Sequence, residues 1–143
     1  MEMKLFYLGN VTDMSEEQNK EVETFITGFE YGIIATNHPE NGPRLSALNN
    51  LTGQSPKQLH FATDATSQKV KNIQLDSRCE FMYANMNSGQ VMLSGKAEIV
   101  TDLETKKALW QEWMNEYSPE GPEGDGICII RFVPETIRAM ISC

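Results

Sequence analysis

From Tyr31 to Ser142 the chain divides into seven short segments of alternating or apolar character separated by turn-forming residues, at 31–37, 44–51, 58–63, 78–84, 90–100, 127–133 and 136–142. Segments of this length and period read as β-strands with one face buried. His38-Pro-Glu-Asn-Gly-Pro43, Thr52-Gly-Gln-Ser-Pro56 and Asn85-Met-Asn-Ser-Gly89 supply proline, glycine and asparagine where the chain must reverse. The first five strands are therefore expected to be joined mostly by hairpin-like connections.

Helices are marked by their starts. Ser15-Glu-Glu-Gln18 has the form of a capping box, and Val22, Phe25, Ile26 and Phe29 follow at the spacing of one apolar face, which predicts a helix over 16–28. Thr101-Asp-Leu-Glu104 is a second such box, and Leu103, Trp110, Trp113, Met114 and Tyr117 keep to one side of the helix it opens. Ser118-Pro-Glu-Gly-Pro-Glu-Gly-Asp-Gly126 must be a loop, because its prolines and glycines cannot hold a regular element. Seven short strands and three helices, one of them between the third and fourth strands, predict a mainly β fold. The expected architecture is a predominantly antiparallel barrel with helices packed outside it, in a single domain over 1–143.

The middle helix is the informative one. In Leu59-His-Phe-Ala-Thr-Asp-Ala-Thr-Ser-Gln-Lys-Val-Lys-Asn-Ile73 a strand runs through a hydroxyl-rich turn directly into a helix. Thr63, Thr66 and Ser67 can donate hydroxyl hydrogen bonds, the first helical N–H groups have no intrahelical acceptors, and Lys69 adds a positive charge one turn in. The junction suits a phosphate. It also suits a simple helix cap, with Asp64, Thr66 or Ser67 as the capping residue and no ligand.

Charge supports a small anionic ligand rather than a polyanion. The total is −8, which disfavours nonspecific nucleic-acid binding, but residues 44–97 hold six bases against three acids, a net of +3 that leaves −11 for the remainder. Three widely spaced cysteines, Cys79, Cys128 and Cys143, form no Cys-x-x-Cys pair and argue against a disulfide framework or structural zinc. Cys79 and Cys128 are expected to be small core residues. His38 and His60 fall in separate strands without partners at ligand spacing, so no metal site is expected. No apolar run approaches the length of a bilayer span, and the apolar patch of the first nine residues is too short for a signal peptide, so a cytoplasmic protein is expected.

Three motifs in order, Arg44-Leu-Ser-Ala-Leu-Asn49, then Phe61-Ala-Thr63 with Ser67-Gln-Lys69, then Gln90-Val-Met-Leu-Ser-Gly-Lys-Ala-Glu98, carry a resemblance to a known family. The chain resembles the flavin mononucleotide-binding split-barrel family that includes pyridoxamine 5′-phosphate oxidase and the general stress proteins related to it. The resemblance implies a six- to seven-stranded antiparallel barrel of Greek-key type and flavin mononucleotide (FMN) as cofactor. It implies Arg44, Ser67 and Lys69 as phosphate ligands, with Gln68 in the same cofactor-binding segment, and Thr63 near the ribityl chain. Ala47, Leu48 and Asn49 would run along the flavin ring, and the Gln90 amide would reach the ring edge. It further implies a homodimer with the cofactor between subunits, and a small-molecule substrate.

The chain also departs from the family's oxidases. They carry a lysine at the position of Asn49 and an arginine at that of Gln68, and they end in a segment with a tryptophan, arginines and a histidine that Ile141-Ser-Cys143 does not supply. The resemblance is therefore closer to the short general-stress-protein branch, and argues against oxidation of pyridoxamine phosphate. A flavin-dependent oxidoreductase is the leading expectation, with no catalytic residue assigned. His60, a strand histidine without a partner, reads as packed or solvated. The alternatives are a non-catalytic flavin or haem module, and an interaction dimer using the face of Trp110, Trp113 and Tyr117; outer-helix core packing accounts for the same face.

Overall fold

The structure, a computed structural model, describes residues 2–51 and 54–142. Its strands are β1 (Met3–Asn10), β2 (Tyr31–His38), β3 (Gly42–Asn49), β4 (Leu59–Asp64), β5 (Arg78–Asn85), β6 (Gly89–Val100) and β7 (Ile127–Ser142). Its helices are α1 (Glu16–Thr27), α2 (Gln68–Leu75) and α3 (Leu103–Leu109), with short 3₁₀ turns at Val11–Asp13, Glu112–Glu116 and Gly121–Glu123. All pairings are antiparallel, in the order β1-β7-β6-β5-β2-β3. One edge of β7 pairs with β6 throughout; the other takes β4 along its first half and β1 along its second. An isolated bridge between Asn50 and Phe61 brings the β3 end back to β4 and closes the barrel.

The expected split into strands 127–133 and 136–142 is corrected: they are one strand. Proline lacks the N–H a ladder needs, and Pro134 is tolerated because the β6–β7 register shifts there, with Ser94 opposite Thr136 and Gly95 opposite Pro134, so that Glu135 is an extra residue. A side chain at Gly95 would collide with the Val133 carbonyl oxygen, so the bend requires glycine. The first strand was not expected, because its burial does not alternate: only Leu5 is buried, and Phe6 and Leu8 face solvent.

The Ser15 capping box forms as expected, with Ser15 Oγ accepting from Gln18 N at 3.1 Å and Gln18 Oε1 accepting from Ser15 N at 2.9 Å. The expected box at Thr101 does not. Asp102 caps α3 instead, accepting from the Thr105 N–H and hydroxyl at 2.9 and 2.6 Å. That helix ends at Leu109, and Trp113, Met114 and Tyr117 lie on or just beyond the following 3₁₀ turn. Of the expected hairpins, β2–β3 and β5–β6 form, whereas β3 and β4 meet only at the Asn50–Phe61 bridge. The turn expected at 52–56 lies partly outside the described residues, at Thr52 and Gly53.

Inward-facing residues of every strand fill the barrel, around Phe61 stacked on Phe81 with ring centroids 4.2 Å apart. Val22 and Ile26 of α1 belong to this core. A smaller core of Leu51, Ala62, Val100, Met114, Ile127 and Ile129 lies outside β4 and β7, covered by Leu109, Trp110 and Trp113. The tryptophan face is thus packing, as the outer-helix reading expects; Tyr117, 71% exposed, is not part of it. Cys79 and Cys128 are both buried; burial pushes the Cys79 thiol up to about 12 and raises Cys128 as well, which keeps both protonated.

Gly95→Ala is expected to cost about 1–3 kcal/mol, because a Cβ there would collide with the Val133 carbonyl and must push the two strands apart. Urea unfolding checks it; an unchanged midpoint would remove the bend from the structural requirements.

Candidate functional site

The turn between β4 and α2 is built by Asp64. Its carboxylate accepts from the Thr66 backbone N–H at 2.8 Å and the Thr66 hydroxyl at 2.7 Å, and its carbonyl accepts from Ser67 N at 3.1 Å. The hydroxyl bond first, then the backbone bond, hold the Asp64 carboxyl below its ordinary value, with a smaller contribution from the Lys69 charge. Ser67 occupies the N-cap position of α2 in extended conformation, yet its side chain caps nothing. Its Oγ is shut off from solvent and has no hydrogen-bond partner. Lys69 Nζ donates to Thr63 Oγ1 at 3.2 Å.

The three hydroxyls of the turn therefore differ. Thr66 spends its proton on Asp64. Thr63 accepts from Lys69 and retains its own proton for another acceptor. Ser67 is wholly unspent, beside helical N–H groups that lack intrahelical acceptors. A hydroxyl donor, an ammonium and free N–H groups at one strand-to-helix junction are the kinds of group that can bind a small anion.

Helix α2 is held in place by Asn72, which is fully buried. Its Nδ2 donates to Thr36 Oγ1 of β2 at 3.1 Å, and its Oδ1 accepts from Gln68 Nε2 at 2.9 Å. Gln68 is thereby turned along the helix. Arg44 stands opposite Thr36 in the β2–β3 register, but its guanidinium donates to the carbonyls of Asn41 and Pro43 at 3.3 and 3.2 Å and is exposed.

A cleft of about 400 Å³ opens beside Lys69. Thr63, Asp64 and Lys69 form one end, Ala47, Leu48 and Asn49 of β3 one wall, and Trp113 and Tyr117 another. Of the residues proposed from sequence, Ala47, Leu48, Asn49, Thr63 and Lys69 come together in it, and Ser67 and Gln68 begin the helix that carries Lys69. Arg44 and Gln90 do not line it. Gln90 lies on β6 between Ala84 and Met140, at a separate groove.

The sequence reading missed Asn72, Trp113 and Tyr117 as site residues. Asn72 carries no local signal within the 59–73 run, because its role depends on a contact 36 residues away. Trp113 and Tyr117 stand one helical turn apart, a visible pair, but no local rule says which strand they will face. Here their rings meet edge to face at 6.1 Å, and the Trp113 indole donates to Gln111 Oε1 at 2.7 Å.

His60 is held elsewhere. Its Nε2 accepts from Arg131 Nε at 3.3 Å, and burial, then the Arg131 charge, push its pKa below the ordinary value, so it is a neutral partner of that arginine. Among the described residues no group of three or more His, Cys, Asp or Glu side chains could hold a metal ion, and no helix is long and apolar enough to cross a membrane.

Asn72→Ala should destabilise the protein by about 1–3 kcal/mol by leaving the buried Thr36 hydroxyl unpaired. The Asn72→Ala, Thr36→Val double variant should cost less than the sum of the singles in urea unfolding, since they share one bond. Strict additivity would contradict the bond's role.

A family model described as pyridoxamine 5′-phosphate oxidase matches residues 18–141. Among solved structures, a protein from Clostridium acetobutylicum related to general stress protein 26 of Bacillus subtilis, described as of the pyridoxinephosphate oxidase family, superposes with a TM-score of 0.74. It is 21% identical over 85% of this chain and 86% of that one. General stress protein 26 from Bacillus anthracis gives 0.73 at 20% identity, covering 85% and 92%. HupZ of Group A Streptococcus gives 0.67 at 16% identity, covering 84% and 91%. These structures share the barrel. No curated protein matches in sequence.

Proposed function

The chain belongs to the pyridoxamine 5′-phosphate oxidase family, and from that membership we propose that it binds FMN at the β4–α2 junction and acts as a flavin-dependent oxidoreductase on a small molecule. The observation that carries the reading is the solvent-shielded Ser67 hydroxyl with no partner. A buried hydroxyl left unpaired costs on the order of 1–3 kcal/mol, and a phosphate oxygen at the start of α2 would recover it. Lys69 would supply the point charge, Thr63 a second hydroxyl, and the first N–H groups of α2 the remaining donors. Arg44 stands on the strand face that carries Thr36, the anchor of α2, and would add a second cation. When bound, FMN supplies hydride or electron chemistry at its own ring; the chain's residues bind it, orient it and exclude water.

The outer face of the sheet supports a homodimer as the working form. Leu8, Arg138, Met92, Met82, Ile33 and Ala47 stand opposite one another across six strands. Tyr31 and Leu45 extend this row and are 52% and 75% exposed. Apart from Arg138, which pairs with Glu80, the row is apolar, and a second copy related by a twofold axis would cover it. Gln90, Ala47 and Asn49 project from that same face, because their register partners alternate with the buried positions. In such a pairing the Gln90 of one subunit, which does not line the cleft of its own chain, would be available to the cleft of the other.

The proposed substrate is not pyridoxamine phosphate, because Asn49 and Gln68 give this site neutral amides where the family's oxidases have cations. Titration of purified protein with FMN, followed by quenching of flavin fluorescence, tests the binding. Lys69→Ala should weaken affinity by about 1–3 kcal/mol and Ser67→Ala by about 1 kcal/mol, with unfolding midpoints close to the parent's. Unchanged affinity in Lys69→Ala would remove the junction as the phosphate site.

A further inference from the structure

Lys106 of α3 carries a charge that does not line the cleft and that solvent scarcely reaches. The residue is 8% exposed, and among the described residues it makes no ion pair. Burying an ammonium is costly unless its protons are met. Its Nζ donates to the Gly124 carbonyl at 2.7 Å and stands 6.0 Å from the centroid of the Trp110 ring. The acids nearby in the chain are used or solvated: Glu123 pairs with Lys107 at 3.7 Å, and Glu120 and Asp125 are exposed.

Gly124 belongs to the loop from Ser118 to Gly126. The near part of this loop is folded on itself, with the Gly121 N–H donating to the Ser118 carbonyl at 2.9 Å and the Gly124 N–H to the Gly121 carbonyl at 3.1 Å. Its far end meets the β4–α2 turn. The Ala65 N–H, between Asp64 and Thr66, donates to the Gly126 carbonyl at 3.1 Å, and Gly126 and Ile127 line the cleft with Lys69. A loop with the carboxylates of Glu120, Glu123 and Asp125 has no electrostatic reason to lie against a site for an anion. Lys106 holds it there, two residues before the loop itself holds the turn.

We infer that Lys106 is a positioning residue of the anion site. By fixing the Gly124 carbonyl it sets the Gly126–Ala65 bond, and through that bond the turn that places Ser67 and the first N–H groups of α2, without touching the ligand. That the ligand is the phosphate of FMN rests on the proposed function; that Lys106 fixes the turn does not.

Lys106→Met keeps an unbranched apolar stem and removes the ammonium. In flavin-free protein the variant's Ala65 amide should exchange hydrogen at least about tenfold faster than the parent's, with the α1 amides within about twofold, which separates a loosened turn from a lost fold. Riboflavin has the ring and ribityl chain of FMN without the phosphate. Lys106→Met should therefore weaken FMN at least about fivefold and riboflavin less than about twofold, whereas a residue that only supported the fold would weaken both alike. One arm needs no variant: by reciprocity, bound FMN should slow exchange of the parent's Gly124 amide and bound riboflavin should not. An unchanged Ala65 amide in Lys106→Met, equal losses of FMN and riboflavin affinity, or a Gly124 amide indifferent to bound FMN would overturn the inference. A parent that binds no FMN would sink the flavin reading and leave the Ala65 amide to decide the role of Lys106; FMN binding with an unchanged Ala65 amide in the variant would sink the inference alone.

Discussion

Pro134 has no N–H to give a ladder and Gly95 has no Cβ to hold β7 away, and where the two meet β7 bends without leaving β6. That bend lets one strand of sixteen residues serve two partners on its other edge, β4 before the bulge and β1 after it. Since β4 then meets the far end of the sheet at the Asn50–Phe61 bridge, the closure of the barrel follows from the bend. So does the position of the cleft, because β4 delivers Thr63 and Asp64 to the barrel end where Asn72 pins α2 against Thr36.

Positive charge at the cleft is local. Lys69 is its one lining base among the described residues, and the neighbouring Asp64 carboxylate is spent on Thr66. A chain of net charge −8 is thus compatible with the proposed anion site, since such a site needs only local charge. The same locality qualifies the charge count along the sequence. Arg78 in the basic window is paired with Asp76 at 2.8 Å, and the Asp76 carboxyl is held far below its usual range by hydrogen bonds from Arg78, so that arginine contributes nothing to the cleft.

Locally encoded features were legible and those that depend on distant contacts were not. The Ser15 box, the β2–β3 and β5–β6 hairpins, and the strand-to-helix run at 59–73 all rest on neighbours within a few residues. Pro134 misled because a proline ends a strand unless a bulge beside it removes the need for its missing N–H in the ladder, and that bulge depends on Gly95, far away in the chain. β1 escaped notice because an edge strand that buries only Leu5 has no alternation to read. Asp102 took the cap expected of Thr101 because Thr105, not Glu104, completes its bonds. Within the site, sequence named three equivalent hydroxyls; the turn made by Asp64 singles out Ser67.

Sedimentation of the protein with FMN, followed in the visible flavin band, joins the proposed phosphate site to the outer sheet face in one observation. The flavin should travel with a species of twice the mass of one chain, at one flavin per chain. Flavin left in the slow boundary, or flavin bound in full to a monomer, would contradict a cofactor site completed between two subunits.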